Sequence, residues 1–178
     1  MVRLKVKEAT TLNLRPGITN PNLWLPERPS KTEWNRIRSI VLERDSYTCR
    51  GCGHRALRYM NIHHLEESGD NTPDNLITIC VACHAVLHMG NNLRLQIIEI
   101  WESPMSQVEI IKRSREGISA GLSLKQINKK FSLQAGQYPP TSVQYANDLL
   151  LKIKNKSRAY LPEPLSAVFV NLKRWQLE

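Results

Sequence analysis

Histidine and cysteine carry the distinctive chemistry of this 178-residue chain. Four of its five histidines, His63, His64, His84 and His88, lie between Tyr59 and His88. Cys80 and Cys83 lie among them, and Cys49 and Cys52 sit just upstream. Thiolate sulfur and neutral imidazole nitrogen are the usual protein ligands of transition metals. Cys49 and Cys52 form one C-x2-C pair, and Cys80 and Cys83 form a second after 27 intervening residues. Two such pairs give four soft thiolates in tetrahedral reach, the arrangement of a structural zinc site. Gly51 and Gly53 relax the first turn. The alternative is a disulfide. Against it, Met1 to Lys7 contains no apolar run of signal-peptide length, so the expectation is a cytoplasmic protein with reduced cysteines. His54 lies in the knuckle loop and reads as a surface residue, because four cysteines already fill the site.

These side chains need elements to position them. Ser30-Lys31-Thr32-Glu33 reads as a capping box that opens a helix to Arg44, with Trp34, Ile37, Ile40 and Val41 on one face. Trp34 reads as core packing. Arg58 to Leu65 reads as a strand, Glu66 to Asn75 as a Gly/Asp/Asn/Pro loop, and Leu76 to Ile79 as a second strand. Ala82 to Met89 can form a helix, which puts His84 and His88 one turn apart on one face, a common way to offer two imidazoles to one metal. Adjacent His63 and His64 point to opposite sides of a strand. Upstream, residues 1–29 are punctuated by Pro16, Pro21, Pro26 and Pro29 and read as an extended arm. Leu23, Trp24 and Leu25 would wrap the domain or lie along a partner.

The strand, loop, strand and helix carrying His63-His64, Asn75 and His84 resemble the ββα-metal core of the HNH nucleases. The resemblance covers roughly residues 34–88 and takes in Ile37-Arg38, Leu42-Glu43-Arg44-Asp45, Tyr47-Thr48-Cys49, Cys52-Gly53, Gly69 and Asp74 to Cys80. It is closest to the zinc-knuckle branch of bacterial and phage HNH proteins. It implies His64 as general base and His63 and His84 as ligands of a catalytic metal, with His88 matching an extra ligand found in the colicin DNases. Asn75 matches the middle letter of the motif and would either ligate the metal or brace the loop; with three imidazoles available, bracing is the expectation. It also suits a turn as part of Pro73-Asp74-Asn75. Glu66 and Glu67 read as solvated. The implied reaction is phosphodiester hydrolysis to 5′-phosphate and 3′-hydroxyl ends, with one divalent cation (Mg2+, Mn2+, Ni2+ or Zn2+) stabilising charge and a neutral histidine taking the proton from water. Three imidazoles suit Zn, Ni, Mn and Co better than Mg.

The net charge of +9 is uneven. Residues 1–48 carry nine Lys/Arg against five Asp/Glu, residues 49–92 three against four, and residues 93–178 thirteen against seven. Basic flanks suit a polyanion such as DNA, although they also suit a solvated surface. Arg36 and Arg38, then Lys125, Lys129, Lys130, Lys152, Lys154, Lys156 and Arg158, are the phosphate-contact candidates.

In the C-terminal part, periodicity does not decide between helix and strand for Leu93 to Trp101. Ser103-Pro104 reads as a helix start, with that helix running to Gly117. Ser119 to Phe131 resembles the first helix of a helix-turn-helix unit, yet nine residues separate it from the amphipathic Thr141–Lys154 segment, too many for that tight turn. The alternative is a helical cap. Pro162 and Pro164 precede a last amphipathic segment, Leu165 to Trp175.

The expected fold is therefore α+β: an arm over 1–29, a ββα-metal core with a four-cysteine zinc site over 30–92, and a mostly helical basic region over 93–178. The expected function is metal-dependent DNA cleavage of restriction, homing or phage type, with a homodimer if both strands are cut. A non-catalytic DNA-binding module would keep the zinc knuckle but would not need His63, His64, Asn75, His84 and His88. A secreted toxin nuclease would need a secretion domain or an inhibitor partner. No apolar stretch approaches a membrane span.

Overall fold

Ser30 opens the first helix by accepting a hydrogen bond from the Glu33 backbone N–H (3.2 Å), which satisfies one of the orphan donors of the first turn. The computed structural model describes residues 11–20, 22, 29–66, 70–153, 156, 158–161 and 164–171. Helix α1 spans Lys31–Arg44 and buries Ile37, Val41 and Leu42. The capping box is only half formed, because the Glu33 carboxylate pairs with Arg36 at 2.8 and 3.0 Å. The expectations for Leu23, Trp24 and Leu25, for Glu67 and Gly69, and for Lys154, Pro162 and Trp175 fall on residues outside those described.

Strand β1 (Gly17–Thr19) lies in the N-terminal arm. Strands β2 (Met60–His64) and β3 (Leu76–Cys80) form an antiparallel hairpin in which His63 faces Ile77 and His64 faces Leu76. A single 3-10 turn at Pro73–Asn75 leads into β3. All five β3 residues are buried, because α1 covers one face of the hairpin and helix α2 (Val81–Leu87) the other. The helical run does not continue to Met89. It breaks at His88 (φ −113°, ψ 44°), and helix α3 restarts over Met89–Arg94. Buried Asn92 stabilises the break by donating to the carbonyls of Ala85 (3.1 Å) and His88 (2.9 Å).

The C-terminal part contains more strand than the sequence suggested. Ile98–Glu102 forms β4 and Leu165–Phe169 forms β6, paired antiparallel with Ile98 opposite Phe169. Arg158–Tyr160 forms β5, which pairs antiparallel with β1. The last amphipathic segment is thus a strand over the part described. Its partner is remote in sequence, and strand preference depends on such partners more than on local pattern. Helix α4 runs Gln107–Ser119 from an N-cap at Ser106 rather than Ser103, with Ser106 accepting from Glu109 N–H. It runs on past Gly117, where the close approach of helix α5 (Leu124–Asn128) leaves no room for a side chain: a Cβ there would lie 2.5 Å from Ile127. Helix α6 is Gln144–Lys152. The segment before it does not make a helix-turn-helix. It runs along β4, where Gln134 and Glu102 exchange backbone hydrogen bonds and Ile100 N–H donates to Pro140.

One large core joins Leu14 and Ile18 of the arm to α1, β2, β3, α2, α3 and β4. A smaller cluster of Ile110, Ile127, Phe131 and Val168 lies between α4, α5 and β6. Among the described residues, no helix is long and apolar enough to cross a membrane.

Candidate metal centre

Two groups of potential metal ligands form among the described residues. The first is Cys49, Cys52, Cys80 and Cys83, all at most 5% exposed. The first knuckle is shaped by Cys49 N–H donating to the His54 carbonyl and Gly53 N–H donating to Cys49. Gly53 takes φ +78°, a left-handed conformation that glycine adopts at little cost. Gly51 has a different reason to be glycine, since a Cβ there would sit 3.3 Å from Cys83 Sγ. The second pair opens α2, with Cys80 as N-cap, where the helix dipole favours thiolate. Arg50 N–H donates to Thr78 O (2.9 Å), pinning the first knuckle to β3.

Cys52 Sγ and Cys80 Sγ are 3.8 Å apart. A disulfide needs about 2.05 Å, whereas four sulfurs about 2.3 Å from a tetrahedral zinc are separated by about 3.8 Å. Hydrogen bonding with Cys49 pulls Cys52 and Cys80 below the usual thiol range. Cys49 is pushed up through its bond with Cys52, and Cys83 through its bond with Cys49. Sulfurs that share protons this closely are ones a dication can bridge. Arg115 of α4 also donates to Cys80 Sγ (3.6 Å) and Cys52 Sγ (3.9 Å). Burial opposes the charge on Arg115, but the Cys80 and Cys52 sulfurs outweigh it and raise its pKa. This donor set could hold a metal such as zinc.

The second group is His63, His84 and His88, each offering one ring nitrogen within 4.8 Å of the others. Ring centroids are 5.5 Å apart for His63–His84, 5.3 Å for His63–His88 and 4.5 Å for His84–His88. β2 supplies His63, α2 supplies His84, and the break after α2 supplies His88, whose N–H still donates to His84 O. Burial, followed by the nearby Arg158 charge, lowers the His84 pKa to about 4. Burial, then His84 and Arg158, takes His88 to about 3. The same causes, burial first, depress His63 still further. All three rings are therefore neutral at physiological pH, the state that ligates metal.

His64 points the other way. Its ring stacks on Trp34 of α1 with centroids 6.2 Å apart and planes 20° apart, within the usual range for offset aromatic pairs. Trp34 thus packs against the core and also forms a wall beside His64. His64 Nε2 lies 3.0 Å from Asn71 Oδ1. An amide oxygen only accepts, so Nε2 carries the proton and Nδ1 the lone pair. Asn75 ties the loop closed: its amide donates to Glu66 O (3.1 Å) and Asp70 O (2.8 Å), and its oxygen accepts from Glu66 N–H (2.9 Å).

Three contributors were not singled out for these positions from sequence. Arg158 Nη2 donates to His63 Nε2 (2.7 Å) and His64 O (3.1 Å). Thr19 Oγ1 lies 3.1 Å from His88 Nδ1. Asp45, with a fully buried side chain, binds Arg44, Arg50 and the Thr78 N–H. Arg158 carried a signal as one of several basic residues and Asp45 as part of the Leu42–Asp45 stretch of the resemblance, whereas Thr19 carried none. Among the phosphate-contact candidates, Arg36 is paired with Glu33, and Arg38 donates to the Met60 carbonyl (2.6 Å), tying α1 to β2. Lys125, Lys129 and Lys130 are exposed. The first two flank an open groove lined by Leu124, Leu133 and Val170.

No known protein-family signature matches the chain. Over 74 residues the chain is 30% identical to the type IV methyl-directed restriction enzyme EcoKMcrA of Escherichia coli (strain K12). The match covers 36% of this chain and 26% of that protein, so the chain spans about a quarter of the length of this relative. It is a partial, distant similarity to a restriction endonuclease.

Proposed function

We propose that the chain is a metal-dependent DNA endonuclease of the HNH type. In this reading β2, β3 and α2 form its ββα-metal core, and the four cysteines hold a structural Zn2+. The observation that carries the proposal is the division of His63 and His64 on one strand: His63 joins His84 and His88, while His64 stands apart with an acceptor nitrogen. A zinc scaffold needs none of these four side chains, which weighs against a binding module without activity.

His63, His84 and His88 would hold the catalytic divalent cation; neutral imidazoles fit such an ion, and transition metals fit this donor set at least as well as Mg2+. When bound, that cation supplies charge stabilisation to the phosphate and the leaving oxygen. His64 Nδ1 accepts a proton from water as the water oxygen bonds to phosphorus and the P–O3′ bond breaks. The products are a 5′-phosphate and a 3′-oxygen that takes a proton from solvent. Asn71 holds the tautomer of His64, and Trp34 limits the swing of its ring. Asn75 braces the loop rather than ligating. Arg158 adds a positive charge beside the cluster that a phosphate oxygen can meet. The basic flanks, including Lys125, Lys129 and Lys130, supply further phosphate contacts. The relative's name makes methylated DNA the first specific substrate to try, alongside homing or phage targets. Cleavage of both strands would require two sites, as in a homodimer.

The test is cleavage of unmodified and methylated supercoiled plasmid by the wild type and by His64→Ala, with Mg2+, Mn2+, Ni2+ and Zn2+ in turn. The expected result is nicking or linearisation that His64→Ala abolishes while fold and DNA binding persist. DNA binding without cleavage on any substrate or metal would leave the non-catalytic module as the correct reading.

A further inference from the structure

Thr19 and Arg158 are direct partners in the β1–β5 ribbon, and each reaches a different imidazole of the three-histidine cluster. The ribbon comes from segments outside the hairpin and helix that carry the histidines. It is nonetheless firmly seated. Gly17, Ile18 and Asn20 are buried, and a Cβ at Gly17 would meet Leu87 O at 3.3 Å. β1 therefore lies against the end of α2, where His88 departs from helical geometry.

Arg15 and Leu161 hold the ribbon in place. Arg15 Nη2 donates to Leu161 O (2.7 Å) and Leu161 N–H donates to Pro16 O (2.7 Å). This fixes the Thr19 hydroxyl relative to His88. A neutral imidazole has one N–H and one lone pair. If Nδ1 holds the hydrogen, the lone pair is on Nε2.

We infer that Thr19 is a positioning residue of the metal centre: its Oγ1 accepts the Nδ1–H of His88 and so presents His88 Nε2 to the divalent cation. The inference rests on the proposed metal-centre reading. Ligating histidines are generally oriented through their second nitrogen, and loss of that partner costs about 10–100-fold in metal affinity. Here the orienting group belongs to a separate strand of the arm, so the arm is part of the centre.

The test is Ni2+ titration of the full chain with its cysteine-bound zinc retained, comparing wild type, Thr19→Val and Thr19→Ser. Nitrogen-15 NMR of the histidine rings reads the His88 tautomer separately. Valine keeps the β-branched shape and removes the hydroxyl; serine keeps the hydroxyl. The expected result is Ni2+ binding weakened about 10–100-fold in Thr19→Val and largely retained in Thr19→Ser, with the Nδ1–H tautomer of His88 lost only in the valine variant. Wild-type affinity in Thr19→Val, or equal losses in both variants, would overturn the inference while leaving the metal centre standing. A wild type that takes up no Ni2+ beyond the cysteine site overturns the metal-centre reading and this inference with it.

Discussion

Arg115 of α4 donates to the sulfurs of both Cys52 and Cys80, one from each knuckle. Four thiolates around one dication carry an excess of two negative charges, and a half-buried guanidinium compensates part of it. Arg115→Ala is expected to weaken metal retention by about tenfold or more, as for other partners of metal ligands. The rate of zinc transfer to a chromogenic chelator measures this. Arg115→Lys should recover only part of the loss, because an ammonium cannot span both sulfurs in one plane.

Metal removal should unfold more than the knuckles. Beyond packing, the first knuckle is tied to β3 by the Arg50 N–H bond to Thr78 O, and the cysteine cluster is what joins it to the start of α2. In small sites of this kind metal binding is coupled directly to folding. Chelation of the cysteine-bound metal is expected to abolish the cooperative thermal transition of the hairpin, read by circular dichroism, and re-addition of Zn2+ to restore it.

Asp45 gives a pH signature of its own, although it binds Arg50 of the first knuckle. Burial alone would raise its pKa, but hydrogen bonds from Arg44 and Thr78 outweigh burial and hold it below the ordinary value. Because the folded pKa is the lower one, its stabilisation is fully present above the unfolded value of about 3.9 and is lost as pH falls through the folded value. Asp45→Asn leaves Arg44 and Arg50 facing a neutral group and should cost about 3 kcal/mol at pH 7. In urea melts, the gap between wild type and variant should narrow below about pH 4.

Arg158→Ala should separate two consequences of one charge. Arg158 competes for the lone pair of His63 Nε2 and repels a dication at that position. Its loss is expected to leave Ni2+ affinity equal or higher, yet lower cleavage by about 10–100-fold through loss of a phosphate contact. A variant that loses metal affinity and activity together would indicate that Arg158 serves only to hold the fold.

Asn75→Ala removes three hydrogen bonds that close the loop from Glu66 to Asp70. A bracing role predicts a fall in cleavage of about 100-fold with Ni2+ affinity changed little, whereas a ligand would lose affinity in proportion. Calorimetry and plasmid cleavage on the same preparation decide between them.

Much of the candidate site was legible because its residues are close in sequence and their types are rare. Two C-x2-C pairs and a His pair at helical spacing need no remote information to be recognised. The hairpin and α1 followed from alternation and from Ser30. The strand partners could not be read in this way. Arg158–Tyr160 has no pattern that singles out Gly17–Thr19, and Leu165–Phe169 reads equally well as amphipathic helix until Ile98–Glu102 lies beside it. Thr19 looked like an arm residue because its function depends on that pairing. The break at His88 was hidden for a similar reason, since it depends on Asn92 reaching back to two carbonyls.

The pairing of β1 with β5 also sets an order of events in synthesis. Arg158 follows His63 by 95 residues, so a growing chain exposes the hairpin and all four histidines well before the strand that completes their surroundings. At about 5–20 residues per second, several seconds pass with all four histidines made but Arg158 and β5 still missing. A nuclease assembled in this sequence would reach full competence only after Arg158 had left the ribosome, well after its four histidines.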